Sequence, residues 1–101
     1  MAEVSIIILT YNSAPFIESL LNSLEKFSKD TEIIVVDNSS SDDTLKIAGK
    51  FDFVKTIDSG KNLGFSKGIN LGSKNSKGEY LLFLNPDTHF EKGDISTKPP
   101  R

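Results

Sequence analysis

A chain of 101 residues with 37% hydrophobic content makes one small domain with a modest core. Its formal net charge is −2, from 12 basic and 14 acidic side chains without a basic block, which argues against nucleic acid as a partner. The absence of cysteine excludes a disulfide scaffold and thiolate metal sites and fits a reducing, cytoplasmic setting, and no apolar stretch approaches the length of a membrane span.

Val4-Ser5-Ile6-Ile7-Ile8-Leu9 is β-branched and almost wholly apolar, so it predicts a central buried strand that ends at Thr10-Tyr11-Asn12. Ser13 is placed to cap a helix and Pro15 suits its first turn. Phe16, Ile17, Leu20, Leu21, Leu24 and Phe27 then recur at helical spacing. Glu32-Ile33-Ile34-Val35-Val36 predicts a second buried strand, ending at Asp37-Asn38 and followed by the polar turn Ser39-Ser40-Ser41. Asp42, Asp43 and Thr44 open a second helix, in which Leu45, Ile47, Ala48 and Phe51 are apolar. Phe53-Val54-Lys55-Thr56-Ile57 is less apolar and predicts an edge strand. A loop over 58–62 leads into a third, glycine-rich helix from Gly64 to about Lys74, where Gly64, Gly68 and Gly72 share one side and permit close approach to a neighbour. Tyr80-Leu81-Leu82-Phe83-Leu84 is apolar without a break and predicts a strand covered on both faces, stopped by Asn85-Pro86-Asp87.

This alternation of strand and helix implies a parallel sheet with right-handed crossovers and helices on both faces, a Rossmann-like α/β domain. Residues 1–90 form the domain, and residues 91–101, whose only apolar member is Ile95, form a loose tail. The parallel order brings three polar strand ends to one edge: Thr10-Tyr11-Asn12, Asp37-Asn38-Ser39-Ser40 and Asn85-Pro86-Asp87. Open α/β sheets bind ligands at that edge. Asp37, an acceptor-only carboxylate, could take the N3–H of uracil or thymine, Tyr11 could cover a base face, and backbone beside Thr10 could meet the base carbonyls. Asp87 could hold Mg²⁺ or Mn²⁺ against a diphosphate. Lys67 is a possible phosphate contact and His89 a possible second metal ligand. Each residue also has an ordinary use: Tyr11 at the rim, Asp37 in a turn, Asp42 and Asp43 as charges at a helix start, Lys67 and His89 as solvated side chains. The first turn lacks Gly-x-Gly-x-x-Gly, no phosphate-binding Gly-Lys-Ser/Thr loop is present, and the first strand does not end in the paired acids of a phospho-receiver.

Four segments, residues 4–12, 32–44, 62–72 and 78–88, resemble in order and spacing the N-terminal, donor-binding half of family 2 glycosyltransferases of the GT-A fold. The resemblance covers about residues 3–90. It implies that the Thr10-Tyr11 turn and Asp37 bind the nucleotide base, that Asn12 belongs to the nucleotide site, that Asn62, Gly64 and Asn70 lie along the nucleotide and sugar, and that Asp87 is the metal-binding acid. Asn85 stands for the first Asp of the family's Asp-x-Asp motif, and Leu9 stands where many members carry proline. The wording Asn62-Leu63-Gly64-Phe65 with Leu84-Asn85-Pro86-Asp87-Thr88 is similar to the rhamnosyltransferase branch. The implied partner is a dTDP- or UDP-sugar, the implied cofactor Mg or Mn, and the implied parent an inverting transferase, possible at the inner face of a membrane, that passes a sugar to an acceptor hydroxyl.

The family's transferase domain is more than twice this long, so the expectation is a truncated donor half without a catalytic residue, inactive alone, that self-associates as a homodimer through the apolar strand at 80–84. The rival is a non-catalytic nucleotide-binding or assembly module that keeps the fold.

Overall fold

The computed structural model describes residues 3–84. In chain order these form β1 (Val4–Thr10), α1 (Ala14–Leu24) running into a single 3₁₀ turn (Glu25–Phe27), β2 (Thr31–Asp37), α2 (Thr44–Ala48), β3 (Val54–Asp58), α3 (Gly64–Lys74) and β4 (Tyr80–Leu84). All pairings are parallel, and the strands lie in the order β3-β2-β1-β4. The register sets Thr10 beside Asp37 and Asp37 beside Asp58, so the carboxyl ends of β1 and β2 meet at one polar edge as expected, with Asp58 beside them, while the third expected strand end, Asn85-Pro86-Asp87, lies outside the described residues.

The chain steps outward from β1 through β2 to β3, then returns to place β4 on the other side of β1. β1 is therefore the topological switch point, where a crevice opens outside the carboxyl ends in sheets of this kind. The two central strands are buried on both faces. Ile6, Ile8, Ile33 and Val35 pack with Ile17, Leu20, Leu21 and Leu24 of α1 and Ala48 of α2, while Ile7, Ile34 and Val36 pack with Ile69 and Leu71 of α3. This two-sided burial is why their sequences read as continuous apolar runs.

Helix α3 lies close to the sheet because its inner face is glycine. A Cβ on Gly68 would stand 2.5 Å from Leu9 Cδ1, and one on Gly72 would stand 2.6 Å from Ile7 Cγ2 and 3.0 Å from Val36 Cγ2.

Three expectations need correction. β4 is an edge strand among the described residues, with Tyr80 62% exposed and Leu81 and Phe83 also exposed. An unbroken apolar run permits cover on both faces but does not say what supplies it, and α1 and α3 sit over β1 and β2. Helix α2 stops at Ala48, short of Phe51. Ser13 occupies the N-cap position of α1, but its side chain makes no capping bond. Its hydroxyl instead accepts from Tyr11 N–H at 3.2 Å and reaches Tyr11 O at 3.3 Å.

At the opposite edge of the sheet, a small polar network fixes the entry to β4. Ser5 Oγ donates to Glu32 Oε1 at 2.7 Å and accepts from Gly78 N–H at 2.8 Å, while Lys77 N–H donates to the same Glu32 oxygen at 2.7 Å. Partial desolvation alone would raise the Glu32 carboxyl's pKa. The bonds from Lys77 N–H and Ser5, with the charges of Lys55 and Lys77, outweigh it and hold the pKa below the ordinary value. A depressed carboxyl stabilises the fold above its unfolded pKa, and that contribution fades as pH falls through the folded value. The stability advantage of the parent over Glu32→Gln should accordingly be full at neutral pH and shrink below about pH 4, near the ordinary glutamate range. Urea denaturation at stepped pH measures this; an advantage independent of pH would contradict the assignment.

Candidate functional site

The edge at the carboxyl ends of β1 and β2 is built by two loops, residues 11–13 and 38–43, that hold each other. Asn38 N–H donates to Thr10 O at 2.8 Å, and Asn12 N–H donates to Ser40 Oγ at 2.8 Å. Asn12 Oδ1 accepts from Ser41 N–H at 2.8 Å and from Ser41 Oγ at 3.2 Å. Each loop carries one non-glycine residue in the left-handed region, Asn12 at φ 50° and Ser39 at φ 64°. Such conformations persist where neighbouring bonds over-determine the backbone, and they cluster at functional sites.

The start of α1 is capped from the other loop. Ser13 N–H donates to Thr44 Oγ1 at 2.8 Å, and Ala14 N–H donates to Asp42 Oδ2 at 3.1 Å. Asp42 also accepts from the Thr44 hydroxyl and, at 3.0 Å, from Thr44 N–H. These bonds, the Thr44 hydroxyl first among them, hold the Asp42 carboxyl below its ordinary pKa. Asp42 thus serves two helix starts, in keeping with its reading as a structural charge.

Asp37 lies at the centre and is 2% exposed. Its Oδ1 accepts from Thr10 Oγ1 at 2.7 Å and from Ser40 Oγ at 2.6 Å, and its Oδ2 accepts from Ser40 N–H at 2.9 Å. A carboxylate offers about four lone-pair sites, so one on Oδ2 is left over. Thr10 is fully buried, and its carbonyl is taken by Asn38. Tyr11, between two tightly bonded residues, is 54% exposed.

Asn38 joins this edge to α3. Its Oδ1 accepts from Leu63 N–H at 3.2 Å, and its Nδ2 donates to Gly64 O at 3.2 Å. Gly64 takes φ 81°, and its N–H is received by Asn62 Oδ1 at 2.9 Å. The sequence reading did not single out Asn38 or Ser40 as site residues. The available signal was a short polar side chain directly after a buried strand, the type that bonds nearby backbone.

The structure therefore brings Thr10, Tyr11, Asn12, Asp37, Asn62 and Gly64 to one edge. It does not bring Asn70 or Lys67 to the centre of that edge: both line a shallow depression with Leu63, Leu71 and Lys74 on the outer flank of α3, and Asn70 is about 9 Å down the helix axis from Gly64. Asn85, Asp87 and His89 lie outside the described residues. Among the described residues no group of three or more His, Cys, Asp or Glu side chains is placed to hold a metal. Asp37 and Asp42 are already engaged by hydrogen-bond donors, so the metal assignment rests wholly on the residues after β4.

An open parallel α/β domain with a polar carboxyl edge at its switch point defines a Rossmann-like ligand-binding unit. The family model of glycosyl transferase family 2 matches residues 5–97, and the chain belongs to that family. Among its relatives, a poly(ribitol-phosphate) β-N-acetylglucosaminyltransferase, TarS, of Staphylococcus aureus is 37% identical over 100 residues, covering 91% of this chain and 17% of the relative. A low-salt glycan biosynthesis hexosyltransferase of Haloferax volcanii is 40% identical over 97 residues, covering 92% and 30%. A crystal structure of Staphylococcus aureus TarS 1–349 in complex with UDP-GlcNAc superposes with TM-score 0.78 at 36% identity, covering 86% of this chain and 27% of that one. The chain thus spans less than a third of the length of these relatives. The fold is that of GT-A glycosyltransferases, as expected. No helix of the described residues is long and apolar enough to cross a membrane.

Proposed function

We propose that this domain holds the nucleoside diphosphate of a sugar donor at the carboxyl edge of β1 and β2, as the donor half of a cytoplasmic inverting glycosyltransferase. The observation that carries the reading is the Thr10–Asp37–Ser40 cluster, a buried carboxylate with three internal donors and one acceptor site to spare beside the exposed Tyr11. Oδ2 of Asp37 takes the N3–H of a uracil or thymine, Tyr11 covers the ring, and the loop backbone around Asn12, Asn62 and Gly64 borders the ribose and diphosphate. Membership of the family and the UDP-GlcNAc complex of the similar TarS support this assignment. A divalent Mg or Mn ion on Asp87, assisted by Asn85 or His89, belongs to the same proposal and would neutralise charge on the diphosphate. The Asn62-Leu63-Gly64-Phe65 wording favours a rhamnosyl donor carried on dTDP, so dTDP and UDP are both candidates. Pairing of two copies along the exposed β4 completes the reading.

Calorimetric titration of the 101-residue chain with UDP, dTDP and CDP, with and without Mn²⁺, tests it. UDP or dTDP should bind at a single site. CDP should bind at least ten-fold more weakly, because cytosine N3 is an acceptor facing an acceptor-only carboxylate; the margin corresponds to the roughly 1.5–3 kcal/mol of a hydrogen bond to a charged group. Equal affinity for CDP and UDP would remove Asp37 from base recognition, and absence of binding by either uracil or thymine nucleotides would overturn the proposal.

A further inference from the structure

The sequence of α3 divides its side chains by task. Gly68 and Gly72 meet the sheet, Ile69 and Leu71 enter the core, and Lys67, Asn70 and Lys74 lie on the outer flank. Phe65 fits none of these groups. It is 67% exposed, the most exposed of the large hydrophobic side chains described, and it does not join either core cluster. Single exposed apolar residues are ordinary on protein surfaces. Phe65 differs in where it is held. The two residues before it are bonded on both sides by the Asn38 side chain, and Asn38 directly follows Asp37. One turn further on, the site of a Gly68 Cβ lies 3.3 Å from Asn38 Nδ2 and 2.5 Å from Leu9 Cδ1, so α3 cannot withdraw from the strand ends without losing its packing. The backbone that leads into Phe65 is thereby anchored to Asn38, the residue after the buried carboxylate, while the ring joins neither core cluster.

We infer that Phe65 is a substrate-binding residue that covers the nucleoside of the donor with its ring. The inference rests on the donor-site reading above. A nucleobase combines a flat apolar face with a polar edge, which matches an aromatic ring beside a hydrogen-bond acceptor. Stacking is tolerant of base identity, so Phe65 supplies affinity for the ring while Asp37 selects among rings.

The test compares the parent chain with Phe65→Ala, Phe65→Leu and Phe65→Tyr in titrations with UDP, uridine and inorganic pyrophosphate. Phe65→Ala should weaken UDP and uridine about ten-fold, in the range seen when one base–aromatic contact is removed, and leave pyrophosphate unchanged. Phe65→Tyr should restore affinity by restoring a flat ring, and Phe65→Leu should not. The melting temperature should be unaffected, because the side chain is mostly in solvent. Phe16→Ala, another exposed aromatic, on the first turn of α1, serves as control and should bind as the parent does. If the parent binds UDP and Phe65→Ala binds it equally well, this inference fails and the donor-site reading stands. If the parent does not bind UDP or uridine, the donor-site reading itself has failed.

Discussion

Asp37→Ala should destabilise the domain by about 3 kcal/mol and abolish measurable binding of a uracil nucleotide. The carboxylate receives Thr10 Oγ1, Ser40 N–H and Ser40 Oγ at the end of the sheet's most buried strand pair. Thr10 can turn to Val36 O, at 3.4 Å, but the part-buried Ser40 N–H makes no other hydrogen bond among the described residues, and stranding such a donor costs up to about 1–3 kcal/mol. The loss spreads because Ser40 Oγ also receives Asn12 N–H, through which the two site loops are joined. For a domain of this size the change corresponds to a fall in melting temperature on the order of 15 °C. Asp37→Asn keeps Oδ1 as an acceptor but turns an amide toward Ser40 N–H or toward the base, so it should retain part of the stability and lose the UDP preference. Chemical denaturation and calorimetry on both variants separate the two effects. An alanine variant as stable as the parent would show that the loops stand without the carboxylate.

Gly78→Ala should be as damaging, by about 3 kcal/mol, although Gly78 is far from the site. A Cβ at this position would stand 2.5 Å from Ser5 Oγ, 2.6 Å from Ser5 N and 2.8 Å from Val4 C. Two of those atoms are backbone of the strand on which the sheet is centred, and overpacking against atoms that cannot rotate away costs about 1–3 kcal/mol or more. The same step would break the Gly78 N–H bond to Ser5 Oγ at 2.8 Å and loosen the Glu32 network that fixes the entry to β4. Gly49→Ala is the informative comparison. Gly49 has φ −68°, and its Cβ would meet only ordinary contacts, at 3.4 Å and 3.6 Å from its own helix's carbonyls. That substitution should leave stability level or raise it by about 0.5 kcal/mol through the unfolded chain. Thermal denaturation of the two variants decides the matter; equal melting temperatures would rule out the steric argument.

Much of the fold was legible along the chain, for local reasons. Ile6-Ile7-Ile8 and Ile33-Ile34-Val35-Val36 are β-branched and unbroken, a pattern suited to strands covered on both faces. Ile17, Leu20, Leu21 and Leu24 repeat at helical spacing, and all four are buried in α1. Alternation of these elements implies a parallel sheet, which places every strand's carboxyl end at one edge, so the sequence alone brings Thr10 and Asp37 together. The spacing of Gly68 and Gly72 likewise announced a helix face made for close approach, whereas Gly64, expected on the same face, has open space where a Cβ would stand and owes its glycine to a φ of 81°.

Other features depended on partners far away in the chain. Periodicity tells which residues turn inward, not what they meet, so Tyr80–Leu84 read as a buried strand although, among the described residues, it is the outer strand on the far side of β1. The start of α1 is served by Asp42, from the next loop, and not by the adjacent Ser13, because a cap needs an oxygen in the right place rather than a neighbour in sequence. Gly78 is required by Ser5, and Asn38 clamps Leu63 and Gly64, contacts that arise only after the strands are laid side by side. By itself the sequence determined the elements, their parallel sense and the edge at which polar strand ends gather, since these follow from side-chain shape and short-range periodicity. The tertiary structure alone decided the order of strands, the bonds that lock the two site loops, and the exposure of Phe65 beside Asn38, since these depend on which distant surfaces fit each other.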